Sequence, residues 1–420
     1  MAYRGRYRWA PSFEHLPLDL SHETTGGLKE KGVYLITGGL GSLGLEFASY
    51  IAQTVNASLV LVSRSGLPVR ENWSGWLAQH DQDDITSSRI RRIQRIEALG
   101  ATVMVCEADV TSAQQMSNAI RDAETVLGPL SGVLHAAGAE KVGAAVATLN
   151  QQDCEKQFAP RIQGLQVLEQ VLAGKPLDFC VINSSLASVM GVLGSVSYTA
   201  AHIYMDAFVS RHNRFSDQPW TCINWDNWNI NIHDPDQPAQ AATGYYMLPA
   251  EATAILARIL EARDYDQVIV SSGDVQSRIE QWSQPEELQQ DQSEAGDNTE
   301  TRAYPRPALS TEYQAPANET ERILAGIWSD ILGIDRIGIH DNFFELGGDS
   351  VLNIQITARA TQAGLKLTPK QVFENQTIAE LAAVVGAEDT IEAEQDLVTG
   401  PVPLTPIQHW FFNRNLPNPG

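Results

Sequence analysis

From Gly32 to about Gly273, short apolar runs rich in β-branched residues alternate with longer stretches of helical periodicity. The runs are Val33–Ile36, Leu59–Val62, Val103–Cys106, Gly132–Leu134, Phe179–Ile182, Cys222–Trp225 and Val268–Val270. Strands that alternate with helices predict a parallel sheet with right-handed crossovers and helices on both faces. From Asp274 to Ala317 the large apolar residues give way to Gln, Glu, Asp, Ser and Pro. Such a stretch buries too little surface to offset the entropy of ordering its chain, and predicts a flexible acidic linker over residues 274–317.

Helical spacing returns at Asn318, where Asn318 and Glu321 can form a capping box ahead of Ile323, Leu324, Ile327, Trp328, Ile331 and Leu332. A second helix is expected to start at Ser350, and a short one at Thr368-Pro369, because proline suits the first helical position. Thr377 and Glu380 open the last, which carries Ile378, Leu381, Ala382 and Val385 on one face. Residues 318–387 therefore predict a small four-helix bundle. A second acidic linker over 388–400 leads to the aromatic cluster Pro401–Phe412, which would be exposed unless more protein followed it. No internal repeat is visible.

At 420 residues the chain exceeds what one core usually covers, in line with several domains. A net charge of -22 argues against a nucleic-acid binder, which must neutralise phosphates. No apolar run approaches the roughly 20 residues of a membrane span, and Met1–Trp9 has no apolar signal region. Cys106, Cys154, Cys180 and Cys222 are scattered without metal-ligand spacing, so no metal is expected and the thiols read as reduced. A soluble cytoplasmic protein is the expectation.

Gly39, Gly41 and Gly44 have G-x-G-x-x-G spacing between the first predicted strand and the first predicted helix. In such a loop the first glycine permits the tight turn, the second lets backbone approach a pyrophosphate, and the third allows close helix packing. The helix N-terminus at Ser42 and Leu43 then offers N–H groups to the phosphates. After the second strand, Ser63-Arg64-Ser65 stands where an NAD site usually has an acidic residue. A guanidinium there suits the 2′-phosphate of NADPH. Asp109-Val110, after the third strand, is placed to border the adenine, or Asp109 to cap the next helix.

The fifth strand ends in Asn183-Ser184-Ser185, and Tyr198 follows Ser185 by thirteen residues. Together with TGGLGSLG (37–44), LVLVSRSG (59–66), ADV (108–110), LHAAG (134–138), YTAAHIYMDAF (198–208) and INWDNW (223–228), these residues resemble the short-chain dehydrogenase/reductase superfamily. More closely they resemble the ketoreductase domain of modular polyketide synthases and their hybrids with nonribosomal peptide synthetases. The resemblance implies a Rossmann-type α/β domain over residues 31–273. Its cofactor would be NADPH, held also by Gly38 and by Ala136, Ala137 and Gly138. It implies that Tyr198 protonates the nascent alkoxide and Ser185 hydrogen-bonds the carbonyl oxygen. Residues 1–30, through Ala2–Trp9, look like the last strand of the structural subdomain that precedes such domains.

Two positions depart from that pattern. Arg161 stands where a lysine is expected, and His202 where an asparagine is expected four residues after the tyrosine. An adjacent cation favours a phenolate, so Arg161 is a candidate catalytic residue, though it is bulkier than lysine and cannot hand over a proton. His202 can donate and accept, and is a candidate link from Tyr198 to solvent. An inert reductase scaffold is the competing reading. The Leu-Asp-Asp signature of one product class is missing around Ala139–Val142, and so is the tryptophan expected before Tyr198 in the other.

Asp341–Ser350, with its sequence DNFFELGGDS, resembles the phosphopantetheine attachment site of acyl and peptidyl carrier domains. The resemblance implies 4′-phosphopantetheine on Ser350, installed by a phosphopantetheinyl transferase. It implies a tethered ketoacyl thioester as substrate, with β-keto and α-keto positions both open. Asp341, Glu345 and Asp349 would offer basic partners a landing site. The linker would keep the loaded arm at high local concentration near Tyr198. Pro403–Phe412 resembles the opening of a condensation or epimerisation domain, which implies upstream and downstream synthase domains as partners.

Overall fold

The computed structural model describes residues 2–4, 7–9, 12–16, 25–80, 84–139, 149–192, 194–230, 246–262, 265–283, 306, 313–332, 334–343, 346, 348, 350–368, 371–372 and 375–385. Ala2–Arg4 (β1) and Tyr7–Trp9 (β2) pair antiparallel, so the expected single N-terminal strand is a hairpin instead. All seven predicted runs are strands, each one to three residues longer than its apolar core: β3 (Val33–Thr37), β4 (Ser58–Ser63), β5 (Thr102–Glu107), β6 (Gly132–His135), β7 (Phe179–Ser185), β8 (Thr221–Trp225) and β11 (Gln267–Val270). They form one sheet in the order β11-β8-β7-β6-β3-β4-β5, with every pairing parallel. β9 (Asn227–Trp228) and β10 (Tyr246–Met247) make a separate short pair.

The period-2 alternation of β3 sorts its side chains between two cores. Tyr34 and Ile36 join the cluster beneath α1 (Ser42–Thr54), while Val33 and Leu35 join the opposite one. α2 (Trp73–Gln79) and α3 (Ile85–Ala98) cover the first face. α4 (Ala113–Leu127) covers the second. α5 (Gln151–Phe158), α6 (Gly164–Leu172), α7 (Ala187–Met190) and α8 (Val196–Asn213) follow, and α6 and α8 bury Leu165, Leu168, Met205 and Val209 on that second face. α9 (Pro249–Ala262) returns to the first face through Leu256 and Ile259. Burial on both faces explains why the strands read as continuous apolar runs.

The stretch read as a linker from Asp274 opens with a helix, α10 (Val275–Ser283), whose Ser277 N–H is capped by the Asp274 carboxylate at 2.7 Å. Its Arg278, mostly shielded, donates at 2.6 Å to the buried Asp226 just after β8. Burial alone would raise the Asp226 carboxyl, yet bonds from Arg278 and Ser272 outweigh it and hold it below the ordinary aspartate value. One charged contact thus extends the ordered sheet domain beyond Gly273.

The C-terminal segment contains α11 (Glu319–Leu332), α12 (Ser350–Gln362) and α13 (Ile378–Val384). Leu324, Trp328, Phe343, Ile356, Val372, Ile378 and Leu381 share one buried cluster. Thr377 and Glu380 make the expected reciprocal capping box. Asn318 caps α11 by accepting the Glu321 N–H at 2.9 Å, but Glu321 reaches back to Ala317 and not to Asn318. Of the short helix expected at Thr368, Thr368, Gln371 and Val372 are described, and Gln371 exchanges bonds with Thr368. Arg306, inside the expected linker, grips Asp341 through two nitrogens at 2.8 and 2.6 Å. Asp341 is fully buried, so it is a structural anchor and not a landing site. Glu345, Asp349 and residues 386–420 lie outside the described residues.

Removing one partner of a buried pair strands the other charge. Arg278→Ala is expected to cost about 3 kcal/mol, read as a lowered unfolding midpoint of the full chain in urea. An unchanged midpoint would separate α10 from the sheet domain.

Candidate active site

Parallel strands deliver their carboxyl ends to one rim. At that rim the loop after β3 turns at Gly38, whose φ of +67° is a left-handed conformation that glycine adopts without strain. The tight turn expected at Gly39 therefore falls one residue earlier. A side chain at Gly38 would also strike Ala136 O, at 2.5 Å, and the Cα of Ala137 after β6. Gly39 donates to Val62 O of β4 at 3.0 Å, and Ala136 donates to Thr37 O at 3.0 Å, so the loop is clamped from both sides. Gly41 is the N-cap of α1 and offers no side-chain cap. The first N–H groups of that helix, from Ser42 and Leu43, are thereby left to an anion.

Ser63 ends β4 and its carbonyl accepts Ala108 N–H at 3.0 Å. Arg64 is exposed beside it, with no acidic partner among the described residues. The Asp109 carboxylate accepts the N–H and hydroxyl of Thr111 at 2.9 and 2.8 Å. It orders the turn before α4, whose N-cap is Ser112. Val110 is buried against Gly164, where a β-carbon would lie 2.9 Å from its methyl group.

Between α5 and α6 the chain widens into a single π turn, Ala159–Gln163, closed by Gly164 N–H on Ala159 O. Pro160 has no N–H to give an α-helical ladder, and a π turn accommodates that loss. Arg161 projects from this turn and is 6% exposed. Its Nη1 donates to the carbonyl and side-chain oxygens of Gln157 at 3.2 and 2.9 Å, and Nη2 to Ala139 O at 3.4 Å. Its Nε donates to His202 Nε2 at 3.2 Å. The guanidinium lies over the Tyr198 ring, 4.9 Å from its centroid, and His202 packs on the same ring at 4.3 Å. Tyr198 itself is half-buried.

Because Nε2 of His202 accepts from Arg161, the ring proton resides on Nδ1, which meets Ser184 Oγ at 3.3 Å. Ser184 donates in turn to Asp206 Oδ1 at 2.7 Å. Both ring nitrogens are committed, so the expected link from Tyr198 through His202 to solvent is not formed. Ser185 is partly exposed, and its Oγ accepts Ala187 N–H at 3.2 Å. Asn183 ties the rim together, donating to His135 O and accepting from Trp225 Nε1, both at 2.9 Å.

Tyr198, Arg161 and His202 are thus brought into contact, and Gly138 lies against Arg161 Nη2. Ser350 is the first residue of α12 in the C-terminal segment. Sequence reasoning missed Ser184, Asp206, Gln157 and Asn183. A signal existed for Asp206, since Tyr198, His202 and Asp206 recur every four residues on one helix face.

Burial, then the neighbouring Arg161 charge, hold His202 down to about 3 and His135 down to about 4. Burial also lowers Arg161, which remains a cation because guanidinium is so weak an acid. Among the described residues there is no cluster of side chains suited to a metal ion and no helix long and apolar enough to cross a membrane.

Residues 32–230 match the family model described as KR domain, and residues 322–385 that described as phosphopantetheine attachment site. The chain is 61% identical over 115 residues to a linear gramicidin synthase subunit of Brevibacillus parabrevis, a match covering 27% of this chain and 2% of that protein. It is 31% identical over 284 residues to surfactin synthase subunit 2 of Bacillus subtilis (strain 168), covering 61% of this chain and 8% of that protein. The chain therefore spans a small fraction of the length of these relatives. A solved structure described as an A1-type ketoreductase has the same fold, with a TM-score of 0.50 at 24% identity over 62% of this chain and 51% of that one.

Below pH 6.5 the unfolded histidines take up protons that folded His135 and His202 refuse. The unfolded state then binds more protons, so stability falls as pH drops from 6.5 towards 4, by about 1.4 kcal/mol per pH unit for each histidine. Above 6.5 neither contributes. Urea unfolding across this range is expected to show the slope, and His202→Asn to remove about half of it.

Proposed function

We propose, for a chain that joins a KR domain over residues 32–230 to a phosphopantetheine-attachment domain over 322–385, that it reduces a β-ketoacyl thioester carried on Ser350. The observation that carries this reading is Tyr198 at the open rim of the sheet with a buried guanidinium on its ring. NADPH, when bound, would supply the hydride for such a reduction. Residues fit for holding it are the uncapped start of α1 at Ser42 and Leu43, for the pyrophosphate, and exposed Arg64, for the 2′-phosphate.

Tyr198 donates its hydroxyl proton to the oxygen that becomes an alkoxide, and Ser185 donates a hydrogen bond to the same oxygen. The Arg161 charge stabilises the negative charge that builds on the phenol oxygen as the proton leaves. Arg161 cannot return that proton, because guanidinium stays charged. Ser350, modified by a phosphopantetheinyl transferase, brings the substrate on a flexible arm and passes the hydroxyacyl product to a downstream condensation step.

Three measurements test this. Tyr198→Phe is expected to lower NADPH consumption with a β-ketoacyl pantetheine thioester by at least about 100-fold, and equal rates would remove Tyr198 from the chemistry. Arg64→Ala is expected to raise the KM for NADPH about tenfold and leave that for NADH unchanged. Incubation with coenzyme A and a transferase is expected to add one phosphopantetheine mass to the chain and none to Ser350→Ala. The same gain in both would defeat the assignment.

A further inference from the structure

Arg161 and His202 are one hydrogen-bonded unit, and its far end lies outside the residues assigned to the chemistry. We propose that Ser184 and Asp206 are positioning residues that hold His202 in its Nδ1–H tautomer, so that its Nε2 lone pair keeps Arg161 seated on Tyr198.

The direction of each bond in the chain follows from what each group can do. Guanidinium can only donate, so the contact of Arg161 Nε with His202 Nε2 at 3.2 Å requires a lone pair on Nε2. A neutral imidazole then has its proton on Nδ1, 3.3 Å from Ser184 Oγ. Ser184 must accept there, and is free to do so because its own proton goes to the Asp206 carboxylate at 2.7 Å. A carboxylate accepts and never donates, so the chain has one polarity from Arg161 to Asp206. Asn224 supports the acceptor end, donating to Asp206 Oδ2 at 2.9 Å, and Gln267 donates to the same oxygen at 3.1 Å.

If Ser184 lost Asp206 as acceptor, its hydroxyl could turn and donate to Nδ1. The ring proton would move to Nε2 and face the Arg161 N–H, donor against donor. The groups around the imidazole all agree with a neutral ring. Arg161 and Tyr198 lie against it, Ser184 bonds it, and His135 acts on it electrostatically. Arg161 and His202 are 6% and 4% exposed, so water does not rescue a reversed chain. The two departures from the family pattern, arginine for lysine and histidine for asparagine, thereby act as a single change.

This inference rests on the proposed reduction for its kinetic arm only. Protein labelled with ¹⁵N-histidine, with His202→Asn to assign the ring signals, reports the tautomer directly. The wild type is expected to show Nδ1–H, and Asp206→Asn to lose the single tautomer, since the Asn224 and Gln267 donors claim the amide oxygen and its NH2 group then faces Ser184. Ser184→Ala is expected to lose the single tautomer and to lower kcat about tenfold, with the KM for NADPH within about twofold. An Nε2–H tautomer in the wild type overturns the proposal, as does a Ser184→Ala protein with tautomer and kcat both unchanged. Should Ser184→Ala fail to fold, the wild-type and Asp206→Asn spectra still decide. If the wild type consumes no NADPH, the reductase reading falls and the tautomer spectrum still judges the inference.

Discussion

Parallel pairing is the constraint from which the site follows. With all seven strands running one way, β3, β4, β6, β7 and β8 end on a common rim. The Gly38 turn, Arg64, Gly138 and Ser185 all lie at or just past strand ends there, although they span almost 150 residues of chain. Helices on both faces bury the sheet and leave the rim as the place where polar side chains converge.

Buried charge then decides the local detail. A guanidinium that is nearly out of water needs an acceptor for every donor, because an unpaired buried charge is far more costly than a paired one. Around Arg161 the acceptors are Gln157, Ala139 and His202, drawn from a helix, a loop and a second helix. The same logic places α10 on the sheet domain through Arg278 and Asp226, and Arg306 on the carrier segment through Asp341. In each case one ion pair recruits a segment whose composition looked like solvated linker.

The carrier segment works with a smaller core. Trp328 and Phe343 pack at 5.1 Å between ring centroids and, with Leu324 and Ile356, supply much of the buried bulk of its one cluster. Caps at Asn318 and Thr377 satisfy helix ends that so small a core cannot cover. Ser350 is the first residue of α12.

Local pattern was enough for the seven strands, the glycine loop and the helix start at Ser350, because period and spacing are properties of neighbouring residues; the candidates Tyr198, Ser185, Arg161 and His202 came from the family resemblance. Where the pattern erred, the cause was contact between distant residues. Nothing near Asp274 announces that Arg278 will meet Asp226, and nothing in DNFFELGGDS marks Asp341 as buried beneath Arg306. Likewise the identity of His202 shows that it can accept a proton or donate one. Only the fold, by setting a permanent donor on one side of its ring and a serine leaning on a carboxylate on the other, determines which nitrogen does which.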